Sequence, residues 1–200
     1  MREKKPFSWE LTPGFFLILF WTAFGAGALG INIFWEAIPG QGNLLGMFIL
    51  FQSARRELAQ AEYFFYVLRH HGSWLFICLL AGFSPWGVPV AVFSTAALGI
   101  LVGVILTLSI LQFGILGIFC GAALLFPQFL CYIPSVIFLM SILAQRSGRF
   151  VKKDGRNKKD SLLRQKMFWG SLCLYLGGMI LESFVNPFVL DFVLSHVKIF

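Results

Sequence analysis

Charge is what this chain has least of. Asp, Glu, Lys and Arg make up 12% of its 200 residues, about half of the roughly 25% found in soluble domains. Between His70 and Gln145 there is not one of them. A larger core cannot account for the shortage, because 200 residues form at most one or two ordinary domains. With 58% hydrophobic residues and a mean hydropathy of +0.80, the solvent that suits this chain is lipid. The shortage excludes a soluble domain and predicts an integral membrane protein.

Cysteine and histidine are scarce as well. Cys78, Cys120, Cys131 and Cys173 each lie in an apolar stretch, and none has the C-x-x-C spacing of a metal or redox site. His70, His71 and His196 form no H-E-x-x-H pattern. The chain also lacks a phosphate-binding loop and a nucleophile–base pair. No metal, cofactor or enzymatic activity is expected. Acidic residues are fewer than basic ones, giving a net charge of +7. Twelve of the sixteen Lys and Arg residues fall in the N-terminal segment and in 146–166. Topology and anionic lipid explain such clustering, so membrane lipids are the expected partners and nucleic acid is not.

Apolar length is abundant. A first span covers residues 13–35, too long for the apolar core of a cleavable signal peptide. The segment 54–71, ARRELAQAEYFFYVLRHH, has helical periodicity and reads either as a surface helix or as a solvated connector. In the charge-free run, SPWGVP at 84–89 and the Gln112–Gly114 region act as punctuation. They delimit spans over 64–83, 88–111 and 115–143. The alternative is that SPWGVP lies within the bilayer as a broken helix. A last span covers 168–189. The loop 146–166 carries nine Lys or Arg and two acids. By the positive-inside rule it is cytoplasmic, together with the N-terminus, and the C-terminus is extracytoplasmic. The prediction is an all-α, polytopic transmembrane bundle: one integral membrane domain of about five spans in the cell membrane. Small-xxx-small pairs at Ala26/Gly30, Gly99/Gly103 and Gly117/Gly121 suit close helix approach.

Within so apolar a chain, two polar stretches stand out. In FPQFLCYIP (126–134), Pro127 and Pro134 lack an N–H and cannot donate to the preceding turn. Carbonyls freed at that depth must find partners inside the protein. Gln128 offers amide donors and Tyr132 a hydroxyl. A kinked or re-entrant helix follows, with the amide there to satisfy the backbone that the prolines open. In the last span, Glu182 costs on the order of 3 kcal/mol by insertion scales. It should face the bundle interior, protonated or paired, with Asn186 one turn on and Pro187 kinking the helix beyond. An interhelical hydrogen bond to Gln128 is one role, and a proton-carrying or partner-holding stripe the other.

The run ALGILVGVILTLSILQFGILGIFCGAALLFPQFLCYIPSVIFLMSI (97–142), the connection FSPWGVP and the stretch MILESFVNPFVLD (179–191) resemble the stage II sporulation protein M family. Members have a similar Gly-rich helix, an F-G-x-x-G turn and a Pro-Gln or Pro-His break with a second proline. Phe129 departs from the Asn or Gly of many members, which removes a polar group from the break. The resemblance implies a non-enzymatic membrane scaffold of a sporulation engulfment complex. Its partners would be an extracytoplasmic peptidoglycan amidase/endopeptidase and a lytic transglycosylase. The alternative from the residues themselves is a transporter or permease-like subunit that uses Glu182.

Overall fold

A computed structural model describes residues 11–37, 60–151 and 158–189. Among these residues the chain is helical and holds no strand. The basic N-terminal segment, residues 54–59, the centre of the loop 146–166 and the C-terminal DFVLSHVKIF lie outside the described residues, wholly or in part.

Helix α1 is Pro13–Phe34. Pro13 suits the first turn, where no N–H partner is needed, and the Thr12 hydroxyl accepts from the Phe15 N–H at 3.4 Å. A 3₁₀ turn, Trp35–Ala37, extends it. Helix α2 is Gln60–Ala81 and α3 is Gly87–Phe113. Helix α4, Ile115–Leu125, is only 11 residues long. Helix α5 is Gln128–Val151. Helix α6, Lys158–Ile180, passes through a π turn, Leu181–Val185, into a last helical turn. Five helical stretches are long and apolar enough to cross a membrane: Pro13–Ala37, Ala61–Ala81, Gly87–Phe113, Gln128–Ser147 and Leu162–Val189. The multi-pass, all-helical reading of the sequence holds.

One end of the bundle is fixed by polar contacts. Ser147 Oγ donates to the Ser84 carbonyl at 2.6 Å, and Ser141 Oγ and Gln145 Nε2 both donate to the Leu11 carbonyl, at 2.9 and 2.7 Å. The Arg146 guanidinium lies 3.9 Å over the Phe83 ring. The start of α1, the α2–α3 turn and the end of α5 therefore share one end. SPWGVP sits at that end, not midway through the bundle. Helix α2 reaches it because the helix begins at Gln60, four residues before the predicted start. Residues 60–71 belong to this span and form neither a separate surface helix nor a connector.

The predicted span 115–143 is two helices. Gly114, at φ +59°, turns the chain at the far end of α3, a conformation that glycine adopts without strain. Helix α4 then folds back along α3, with Gly117 directly against the Ser109 backbone and Gly121 against the Ser109 side chain. It stops at Leu125. By helix rise, Gln128 stands about 28 Å from Ser147, while α3 extends about 40 Å from Gly87, which meets Ser147. The break at Phe126-Pro127, a cis bond, thus lies roughly 10 Å inside the bundle. Helix α4 enters from the far end and α5 continues to the other, so the two make one crossing broken at Pro127.

Helix α1 packs chiefly on α3. A Cβ on Gly27 would come within 2.6 Å of the Ile100 carbonyl, and one on Gly99 within 2.5 Å of the Phe20 carbonyl. Gly103 lies as close to the Phe24 carbonyl. Gly99 and Gly103 face the seam as expected, but Gly30 has nothing within 4 Å. The α1 side is lined by Ala23 and Gly27, because the face of α1 turned to α3 is set by Phe16 and Phe20, both buried one turn apart in the core.

Candidate functional site

An α-helix leaves its last four carbonyls without intrahelical donors. At the end of α4 that deficit falls inside the bundle, and amides meet it. The Phe126 N–H donates to Ala122 O at 2.7 Å. Gln128 Nε2 donates to Leu124 O at 3.1 Å. With the Asn186 amide oriented by its neighbours, its nitrogen donates to the carbonyls of Ala123 and Phe126, at 3.1 Å each, and its oxygen accepts from Gln128 Nε2 at 3.3 Å. Gln128 and Asn186 are 3% and 2% exposed, so water does not do this work for them. The amide of Gln128 satisfies the opened backbone as expected. Tyr132 does not share the task.

The π turn in α6 has a cause in the sequence. The Pro187 ring crowds the carbonyl four residues back and supplies no N–H. The helix widens over Leu181–Val185, and the Asn186 N–H reaches Leu181 O. Widened turns of this kind occur often at functional sites. This one carries Glu182.

Glu182 does not bond Gln128. Helices α5 and α6 pack antiparallel. One turn back along α6, from Asn186 to Glu182, therefore corresponds to one turn forward along α5, from Gln128 to Tyr132. Tyr132 Oη donates to Glu182 Oε2 at 2.7 Å. The second partner comes from α2: His71 Nε2 lies 3.3 Å from the same oxygen. His71 stands ten residues from either end of its span, Ala61–Ala81. A carboxylate and an imidazole are thus paired deep within the membrane-spanning region. Their side chains keep 15% and 30% of their exposure.

Aromatic rings fix the pair. The His71 ring stacks on Tyr132 with centroids 5.2 Å apart. Tyr132 and Tyr175 rings are 5.0 Å apart, and Tyr175 Oη lies 3.5 Å from His71 Nδ1. Gly178 has the Tyr132 ring against it, so a Cβ there would press on the ring at 2.8 Å. The cluster borders a cavity of about 840 Å³ between α2 and the α3–α5–α6 wall. Its remaining lining is mostly apolar, with Leu98, Leu101 and Ile105 of α3 and Val136 and Met140 of α5. A volume of this size and a few convergent polar groups match small-ligand sites.

Of the residues singled out from sequence, the structure brings together a polar layer of two pairs one turn apart, Gln128 with Asn186 and Tyr132 with Glu182, with Pro127 and Pro187 at the two helix breaks. Pro134 lies inside α5 and takes no part in the layer. His71 and Tyr175 were missed. Their signal was an ionisable side chain in a stretch able to span, which marks function by default. A span starting at residue 64 sets His71 near the membrane interface, whereas the helix from Gln60 sets it at mid-span.

Comparison with protein-family models, with curated proteins and with solved structures finds no match to this chain.

Proposed function

We propose that the chain is a permease-like membrane subunit whose centre is the His71–Glu182 pair and whose ligand occupies the adjoining cavity. The observation that supports this reading is the 3.3 Å approach of a second ionisable group to Glu182 within the spanning region. A lone intramembrane acid is explained by one structural hydrogen bond. An acid–base pair on the wall of a cavity of about 840 Å³ has the parts of a titrating ligand site. The broken α4–α5 crossing and the widened α6 fit the same reading, since discontinuous helices surround many transport sites.

The scaffold that anchors a peptidoglycan amidase/endopeptidase and a lytic transglycosylase is the second reading. The two stretches that resemble the sporulation family, around Gln128 and around Asn186, are hydrogen-bonded to each other, which favours it. Both readings place the end bearing Leu11 and Gln145 in the cytoplasm of a cell-membrane protein, because nine Lys and Arg lie in 146–166. A cysteine at position 154, in a variant without the four native cysteines, should resist an impermeant thiol reagent in intact cells and react after lysis. Labelling of intact cells would reverse the orientation.

The deciding experiment is complementation of a chromosomal deletion, scored on whatever growth or sporulation defect the deletion gives. Glu182→Gln keeps shape and hydrogen-bonding capacity but cannot titrate. The permease reading expects Glu182→Gln and His71→Gln proteins that reach wild-type abundance yet do not complement. Full complementation by both, with retained co-purification of the two hydrolases, would sink that reading in favour of the scaffold.

A further inference from the structure

The polar wall of the cavity narrows the chemistry of its ligand. Resting on the ligand-site reading above, we infer that the occupant is an amphipathic organic cation, an amine with an apolar body, that enters in exchange for a proton held by His71.

The carboxylate is half used. Oε2 of Glu182 takes both Tyr132 Oη and His71 Nε2. Oε1 has no hydrogen-bond partner among the described residues. A carboxylate accepts at both oxygens, and in an apolar surround an open one calls for a charged donor. Aromatic rings stand beside it. The Tyr132 ring stacks on His71, the Tyr175 ring meets His71 edge-on, and Trp74 and Phe129 line the same cavity. Ring faces attract an ammonium group, more so when water is excluded. The rest of the lining is aliphatic, which suits an apolar body. An inorganic cation does not fit as well. Hard ions take about six or more oxygen ligands, and among the described residues no group of three or more His, Cys, Asp or Glu stands close enough to hold a metal ion.

Exchange follows from the imidazole. Neutral His71, with its proton on Nε2, donates to Glu182 and accepts at Nδ1 from Tyr175 Oη, 3.5 Å away. Protonated His71 donates from both nitrogens, and Tyr175 becomes the acceptor. Only hydroxyl rotation separates the two states. The empty site holds a carboxylate and an imidazolium. The loaded site holds a carboxylate, an imidazole and an ammonium, the Nδ1 proton having left to water. Net charge is zero in both, which avoids an uncompensated charge in hydrocarbon. The other titratable groups around the pair are Tyr63, Tyr66, His70 and Cys78 on α2, with Tyr132 and Tyr175 opposite. Helix α3 brings no ionisable side chain.

The test uses the full chain in phosphatidylcholine nanodiscs at a series of pH values between about 5 and 8. Three probes share one body: 4-phenylbutylamine, 4-phenylbutanol and 4-phenylbutanoate. Calorimetry in two buffers of different ionisation enthalpy reads both affinity and protons. The amine should bind about tenfold or more tighter than the alcohol, the size of one charge-assisted hydrogen bond, and the carboxylate should not bind. About one proton should leave per amine bound. Glu182→Gln should lose about tenfold for the amine and nothing for the alcohol. His71→Gln should retain amine binding, with the pH dependence of proton release moved away from that of the wild type because Glu182 alone then supplies the proton. If Glu182→Gln does not accumulate, Leu101→Trp, which fills the cavity from α3, must abolish amine binding instead. No amine binding, equal binding of amine and alcohol, or amine binding without proton release overturns the inference. Equal binding that Leu101→Trp removes leaves a neutral-ligand cavity, so the ligand-site reading survives. Absence of all binding, with full complementation by Glu182→Gln, removes both.

Discussion

The two faces of α3 meet their neighbours in opposite ways. On one face, Gly99 and Gly103 bring its backbone against that of α1, with no room for even a methyl group. On the other, Ala97, Leu98 and Leu101 border a cavity that separates the helix from α2. Lipid tails are as apolar as leucine, so helices in a membrane associate through close packing and polar contacts, not through escape from water. The α1–α3 seam uses the first device. The α2 side adds the second: His71 meets Glu182 and stacks on Tyr132, and Cys78 Sγ lies 3.5 Å from Ser94 Oγ of α3. A helix held by a titratable polar contact beside a cavity can move relative to a helix pair held by backbone packing. On the permease reading, α1 with α3 is the frame and α2 the working part.

The largest effect should come from breaking the frame. Gly99→Leu places a branched side chain where a Cβ alone would already sit 2.5 Å from the Phe20 carbonyl. The obstacle is backbone, which cannot rotate aside. Overpacking costs about 1–3 kcal/mol in ordinary cores, and here about 3 kcal/mol or more is expected because two helices must separate. The measurement is abundance in membranes together with thermal unfolding in mild detergent. Wild-type values for both would show that the seam is not holding α1.

Next is the polar layer at the break. Asn186→Leu leaves the carbonyls of Ala123 and Phe126 without donors inside the bundle. Each unsatisfied group costs about 1–3 kcal/mol, so a loss of about 2 kcal/mol or more is expected in the same unfolding assay. Gln128→Leu opens one carbonyl, that of Leu124, and should cost less, about 1 kcal/mol. Gln128→Leu costing more than Asn186→Leu would reverse their assigned shares.

How much of this was legible follows from what each signal measures. Hydropathy and the missing charge reported span number, because crossing a bilayer requires about 20 apolar residues whatever their packing. The prolines and Gln128 announced a break, because opened carbonyls need donors. They did not say that Phe126 and Pro127 would separate two helices, nor that the first would fold back along α3. That depends on Gly117 and Gly121 meeting Ser109, a contact between residues whose sequence offers only small side chains. The pairing of Glu182 with His71 depends on where α2 begins, and the residues before Gln60 are mixed in composition, so hydropathy blurs that boundary. Likewise Gly27 and Gly30 are equally small, and only tertiary packing decides which one faces α3.

The smallest effect should come from the cavity side of α3. Ala97 and Gly99 are two residues apart on one helix and point to different surroundings: Ala97 lines the cavity, Gly99 the seam. Ala97→Leu adds three carbons that meet open space, not backbone. It should change unfolding by no more than about 0.5 kcal/mol, the range of substitutions that touch no packed contact. Its effect on function should run the other way. Part of about 840 Å³ is lost to the new side chain, so ligand affinity falls while the fold stands. The same substitution at Gly99 removes the fold and therefore cannot separate the two. If Ala97→Leu destabilises the protein as much as Gly99→Leu does, both faces of α3 are packed alike, and the division into frame and working part fails.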